Sequence, residues 1–177
     1  MTISFFIGGA RSGKSKMAEM HTLKLGKRAT YIATCEVFDE EMAVRVKEHQ
    51  ERRGENWSTL VTPLNLAREI KNIDPTNPIL IDCLTLWLSN HLLKKNDLEK
   101  KIDQLADVLE NSKSNIVLVS SEVGTGIVPD NALARKFRDN AGLMLSLIHI
   151  SEPTRQEAIA DAVLWVEKKW GGGGGGG

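Results

Sequence analysis

An α/β domain built on a mostly parallel sheet is the fold this sequence predicts, and three observations predict it. Residues 79–81, Ile-Leu-Ile, and 116–119, Ile-Val-Leu-Val, are continuous apolar runs of the kind found in strands buried on both faces. Stretches with helical spacing alternate with such runs, as in a sheet covered by crossover helices. A glycine-rich string at residues 8–15 joins the first apolar run to the first helical stretch, at the edge where open α/β sheets bind ligands.

The 177 residues suit a single core, and one domain is expected over residues 1–170. Hydrophobic residues make up 41% and charged residues 26%, ordinary values for a soluble globular protein. Lys+Arg and Asp+Glu both number 23, so the chain lacks the basic surplus that nucleic-acid phosphates demand, and no nucleic-acid partner is expected. No stretch approaches the roughly 20 apolar residues of a membrane-spanning helix. The apolar N-terminus has no basic flank and runs straight into glycines, so it reads as a buried strand rather than a signal peptide. Cys35 and Cys83 lie far apart without metal-ligand spacing, which fits reduced thiols and a cytoplasmic location.

Element by element, residues 4–7 form the first strand. A helix follows from Ser15, with Met17, Met20 and Leu23 at helical spacing and Gly26 as its stop. Residues 29–33 read as a second strand, and 39–51 as a charged helix with Met42, Ala43 and Val46 on one side. Residues 63–73 form a further helix, ended by Asp74-Pro75. Residues 78–83 make an apolar strand with a carboxylate, Asp82, at its C-terminal end. Residues 84–94 and 97–111 are helical in pattern, 116–120 are a buried-type strand, and a helix lies near 131–139. The seven glycines at 171–177 read as flexible coil, a tail that no folded element needs.

Gly8-Gly9-Ala10-Arg11-Ser12-Gly13-Lys14-Ser15 matches G-x-x-x-x-G-K-[ST] in full. Glycines let backbone N–H groups turn inward around phosphates, and the following helix N-terminus adds its positive end. Lys14 is expected at the β- and γ-phosphates and the Ser15 hydroxyl on Mg²⁺. Such a loop needs a carboxylate at a neighbouring strand end; Asp82 is the candidate, with capping of the next helix as its structural alternative. Glu122 is a second acid at the same rim. The expected architecture is a three-layer, RecA-like P-loop NTPase domain.

Further strings narrow the reading: Tyr31-Ile32-Ala33-Thr34; Asp39-Glu40-Glu41-Met42 with Arg45 and His49; Asp82-Cys83-Leu84-Thr85-Leu86-Trp87-Leu88; and Glu122-Val123-Gly124-Thr125-Gly126-Ile127-Val128-Pro129 leading into Asn131, Arg135 and Asp139. In this order and spacing, over residues 3–142, the chain resembles the bifunctional adenosylcobinamide kinase / adenosylcobinamide-phosphate guanylyltransferase family. The resemblance implies phosphorylation of adenosylcobinamide with ATP or GTP, then transfer of GMP from GTP to the product. It implies GMP carried on a histidine, at the position of His49. A neutral imidazole is a good nucleophile towards phosphorus, and Arg52 and Arg53 could neutralise charge on the phosphates. By the same matching Ala33, Thr34 and Cys35 line the GTP site, Gln50, Glu51, Arg52 and Arg53 contact it, and Trp57 is the family's tryptophan. A homotrimer with sites between subunits is also implied. His21, His91 and His149 are expected to be structural.

The chain departs from the pattern at Val61, where the family usually has an acid that contacts GTP, and more widely after Gly142. Residues 143–155 resemble translated adapter DNA and read as foreign to the family, whose pattern returns at 156–163. Taken as protein, residues 145–150 suggest an edge strand or an exposed, aggregation-prone segment. Two other functions remain open to the residues alone: another P-loop small-molecule kinase, and a nucleotide-binding protein inactivated by its altered C-terminal region.

Overall fold

The computed structural model describes residues 1–36, 53–123, 130–149, 155–158 and 163–169. The expected helix at 39–51, the glycine loop at 124–129 and the tail at 171–177 lie outside them. The strands are β1 (Thr2–Gly8), β2 (Ala29–Ala33), β3 (Trp57–Val61), β4 (Ile79–Asp82), β5 (Ile116–Ser121), β6 (Arg155–Ala158) and β7 (Val163–Lys169). The helices are α1 (Lys14–Leu25), α2 (Leu66–Asn72), α3 (Leu84–Leu93), α4 (Leu98–Asn111) and α5 (Ala132–His149). They build one sheet of order β3-β2-β4-β5-β1-β7-β6. The pairings from β3 to β1 are parallel, while β7 joins β1 and β6 joins β7 antiparallel.

Alternation along the strands divides the core in two. Ile3, Phe5, Ile32, Ile79, Ile81, Ile116 and Leu118 face one side, against apolar residues of α2, α3, α4 and α5. Phe6, Tyr31, Ala33, Leu80, Val117 and Val119 face the other, against Ala18 of α1. Both faces of β2, β4 and β5 are therefore buried, which is why β4 and β5 read as unbroken apolar runs.

The burial of α1 and the course of the chain after Gly142 add to or correct the sequence reading. Of the apolar residues at helical spacing on α1, Met17 packs against the core, whereas Met20 is 57% exposed and Leu23 39%. The helix instead buries Ala18, fully, and Thr22, whose hydroxyl donates to the Ala18 carbonyl at 2.7 Å. Small side chains let the helix behind the glycine loop lie close on the sheet. At the other end, residues 145–149 are not an edge strand, because α5 continues through them; Ile150 lies outside the described residues. Phe137, Ala141, Met144 and Ile148 recur at helical spacing, and Ala141, Met144 and Ile148 are buried in the larger core cluster. The strand β3, by contrast, went unread: it lies at the sheet edge, half exposed. No helix among the described residues is long and apolar enough to cross a membrane.

Candidate nucleotide-binding site

Strand β1 ends at Gly8, and α1 starts at Lys14 with Gly13 as its N-cap. Gly13 has φ 83°, a left-handed conformation that a side chain would strain, so the turn into the helix requires glycine there. The Met17 N–H donates to the Gly13 carbonyl at 3.1 Å, and the Ser12 N–H to that of Gly9 at 3.4 Å. Lys14 is buried along most of its length, and its Nζ donates to the Gly9 carbonyl at 2.9 Å. The ammonium is thus folded back over its own loop, with Gly8, Gly9, Ala10, Arg11, Ser12 and Gly13 forming the turn beneath it.

The parallel strands bring their C-terminal ends to the same rim. The Glu122 N–H donates to the Gly8 carbonyl at 3.1 Å, which ties the end of β5 to the start of the glycine loop. The register pairs Tyr31 with Leu80 and Ala33 with Asp82, and the Tyr31 hydroxyl reaches forward to Asp82 Oδ2 at 3.0 Å. Asp82 caps nothing: α3 has Cys83 as its N-cap, without a side-chain cap bond. Its carboxylate faces the side of the sheet on which α1 lies.

Around this rim the loops are held by buried polar side chains. Thr34 is fully buried; its hydroxyl donates to the Cys83 carbonyl at 2.7 Å and accepts from the Cys83 N–H at 2.8 Å. Asn90 on α3 donates to the Thr34 and Pro63 carbonyls at 2.8 and 3.2 Å. Thr85 Oγ1 accepts from the Ser121 N–H at 2.7 Å. Together these bonds tie the C-terminal ends of β2, β4 and β5 to the loops that follow them.

Of the other residues expected to line a nucleotide site, Ala33 is buried and Cys35 half-buried, its Sγ on the Glu36 carbonyl. Arg53 does not project into solvent: its side chain is 3% exposed, its guanidinium carbon lies 3.3 Å from the centre of the Tyr31 ring, and its Nε is 4.0 Å from Glu19. His49, Gln50, Glu51 and Arg52 lie outside the described residues. His21 and His91 are both hydrogen-bonded within the fold. His21 Nε2 is 3.0 Å from Ser4 Oγ, and His91 Nε2 donates to the Leu64 carbonyl at 3.1 Å. Burial, then the charge of Asp82, pushes the Cys83 thiol up to about 11, so it is no nucleophile at neutral pH.

Sequence reasoning assigned no role to Glu19, Asn90 or Thr85 and none to Tyr31, although it singled out the string that begins at Tyr31. The last of these was within reach, because period-2 alternation in β2 sets Tyr31 on the face of Ala33 and hence of the rim.

Residues 4–155 match the cobinamide kinase / cobinamide phosphate guanyltransferase family. The chain belongs to this family. Among curated relatives, it is 42% identical over 139 residues to the bifunctional adenosylcobalamin biosynthesis protein CobP of Pseudomonas aeruginosa, covering 77% of this chain and 80% of the relative. It is 35% and 38% identical over 151 residues to the bifunctional adenosylcobalamin biosynthesis proteins CobU of Escherichia coli and Salmonella typhimurium, covering 76% of this chain and 83% of each relative. Membership makes it an enzyme of adenosylcobalamin biosynthesis, with kinase and guanylyltransferase activities on cobinamide substrates. The fold agrees, with a P-loop at the end of β1 in a mostly parallel sheet.

Proposed function

We propose that the chain phosphorylates the aminopropanol hydroxyl of adenosylcobinamide and then transfers GMP from GTP to that phosphate through a guanylyl-histidine at His49. The observation that carries the nucleotide site is the Gly8-to-Ser15 turn with Lys14 lying over it. The Lys14 ammonium, held by the Gly9 carbonyl, is poised to exchange that partner for phosphate oxygens. In the kinase step the substrate hydroxyl attacks the γ-phosphorus, its proton passes to solvent and the bond to the β-phosphate oxygen breaks, releasing the nucleoside diphosphate. In the second step a ring nitrogen of His49 attacks the α-phosphorus of GTP and pyrophosphate leaves. An oxygen of the cobinamide phosphate then displaces the imidazole, giving adenosylcobinamide-GDP and restoring His49.

The donor set at the rim fits Mg²⁺. Ser15 offers a hydroxyl and Asp82 a carboxylate, and no group of three or more His, Cys, Asp or Glu among the described residues forms an all-protein cage. That is the pattern expected when substrate phosphates complete the coordination. Bound there, Mg²⁺ would neutralise charge on the phosphate oxygens. ATP and GTP are the substrates, Ala33 and Cys35 border the site, and Gln50, Glu51 and Arg52 are assigned to GTP by the family pattern. The same pattern supports a homotrimer, and a cytoplasmic enzyme is the reading we adopt.

Incubation with GTP labelled on the α-phosphate tests this directly. An acid-labile label should remain on the denatured parent protein and vanish from His49→Ala. A folded parent that takes no label would refute the covalent step, whereas label that persists on His49→Ala would move it to another residue.

A further inference from the structure

A row of four side chains runs beneath the rim on the α1 face of the sheet. Asp82 accepts from the Tyr31 hydroxyl at 3.0 Å, and the Arg53 guanidinium covers the Tyr31 ring at 3.3 Å. Glu19 stands 4.0 Å from Arg53. Trp57 closes on the ring edge-on, its centroid 6.1 Å from that of Tyr31. Glu19 lies four residues beyond Ser15 on α1, so the two share a helix face, one turn apart. The row therefore begins at one of the two residues assigned to the cation, Asp82, and ends one helical turn from the other, Ser15.

We propose that Tyr31 is a positioning residue for Asp82, and that Tyr31, Arg53 and Glu19 together set the gap across which Asp82 and Ser15 hold the nucleotide's divalent cation. The inference rests on reading Ser15 and Asp82 as the partners of that cation. The choice of a phenol is what singles the contact out. A phenol fixes one oxygen of the carboxylate and leaves its negative charge intact, whereas a lysine or arginine bound there would cancel the charge the cation needs. The nearby cation is kept off the carboxylate: Arg53 lies over the ring, with Glu19 beside it to offset its charge. Attraction to the ring face holds the arginine there and in turn fixes the tyrosine.

The test is a titration of Mg²⁺ against the melting-temperature shift produced by a non-hydrolysable ATP analogue, with a parallel measurement in EDTA. Y31F keeps the ring beneath Arg53 and removes only the hydroxyl. It should raise the Mg²⁺ concentration giving half of the shift by about three- to tenfold, the effect of one lost hydrogen bond, and leave the shift in EDTA unchanged. Arg53→Met, which keeps the hydroxyl, should raise the midpoint about twofold. An unchanged midpoint in Y31F overturns the inference while leaving the nucleotide site intact. Should Y31F melt too low to titrate, an unchanged midpoint in Arg53→Met overturns it instead. A parent whose shift is the same with Mg²⁺ as in EDTA removes the cation site itself, and this inference with it.

Discussion

The two faces of the sheet are built on different principles. The face covered by α2, α3, α4 and α5 is a broad apolar cluster in which Leu66, Leu84, Leu88, Ile102 and Leu105 are fully buried. The α1 face has a small cluster of mostly short side chains, and beside it the polar row of Asp82, Tyr31, Arg53 and Glu19. Apolar burial stabilises roughly in proportion to area, so most of the folding free energy comes from the first face. The second face gives up area to bring a helix N-terminus and a glycine loop close to the strand ends. A variant on one face should therefore change stability with little effect on chemistry, and a variant on the other the reverse.

Trp87 gives the largest expected effect. It is 2% exposed, donates from Nε1 to the Leu64 carbonyl at 3.0 Å and meets the His91 ring edge-on at 4.8 Å. Trp87→Ala leaves a cavity and takes one of two donors from the Leu64 carbonyl, which keeps His91, and should destabilise by about 3–5 kcal/mol in urea unfolding. The nucleotide-induced melting shift should survive at a temperature where the variant is folded; its loss would mean that the two faces are not separable. Lys14→Ala is the converse. It should lower the turnover of the kinase step by about 10²–10³-fold, as for loss of one preorganised donor at a charge that develops in the transition state. Its unfolding midpoint should stay near that of the parent, because the bond given up is to a loop carbonyl of the same motif. A drop in stability as large as that of Trp87→Ala would break the comparison from the other side.

The same contrast explains what could be read in the sequence. Strands β4 and β5 were legible because burial on both faces leaves no polar position to interrupt Ile79-Leu80-Ile81 or Ile116-Val117-Leu118-Val119. The glycine loop was legible because its chemistry is local: Gly13 and Lys14 act on backbone a few residues away. Strand β3 was not, since Trp-Ser-Thr-Leu-Val at an exposed sheet edge has neither the apolar run nor a clean alternation. The buried side of α1 was not legible, because the apolar residues at helical spacing include the exposed Met20 and Leu23, and only the closeness of helix to sheet favours Ala18 and Thr22. The continuation of α5 was present in the spacing of Ala141, Met144 and Ile148, but a break in family pattern at Leu143 drew attention away from it. The contacts of Tyr31 with Asp82 and Arg53 join residues from separate segments, and no spacing rule reaches them without the sheet register.

The smallest effect expected is a pH dependence seated on the apolar face. His91 Nε2 donates to the Leu64 carbonyl, and Nδ1, 2.8 Å from the Asn96 amide nitrogen, accepts from it, so both ring atoms are used by the neutral form. Burial lowers the His91 pKa, and Lys101 and Lys94 act in the same direction against the Leu64 bond. A folded-state pKa below the unfolded value of about 6.5 means that the unfolded chain takes up the proton first as pH falls. The contribution of His91 is therefore complete above that value and declines below it, by at most about 1.4 kcal/mol per pH unit, until the folded pKa is passed. Urea unfolding at pH 7.5 and 5.5 should show the parent losing more stability than His91→Gln, whose amide can still donate to the Leu64 carbonyl but does not titrate. The Mg²⁺-dependent nucleotide shift should differ no more between the variant and the parent at pH 5.5 than at 7.5, because His91 faces the helices and not the rim. Equal pH slopes in the two proteins would show that another group carries the dependence and that the Leu64 and Asn96 contacts do not hold His91 neutral.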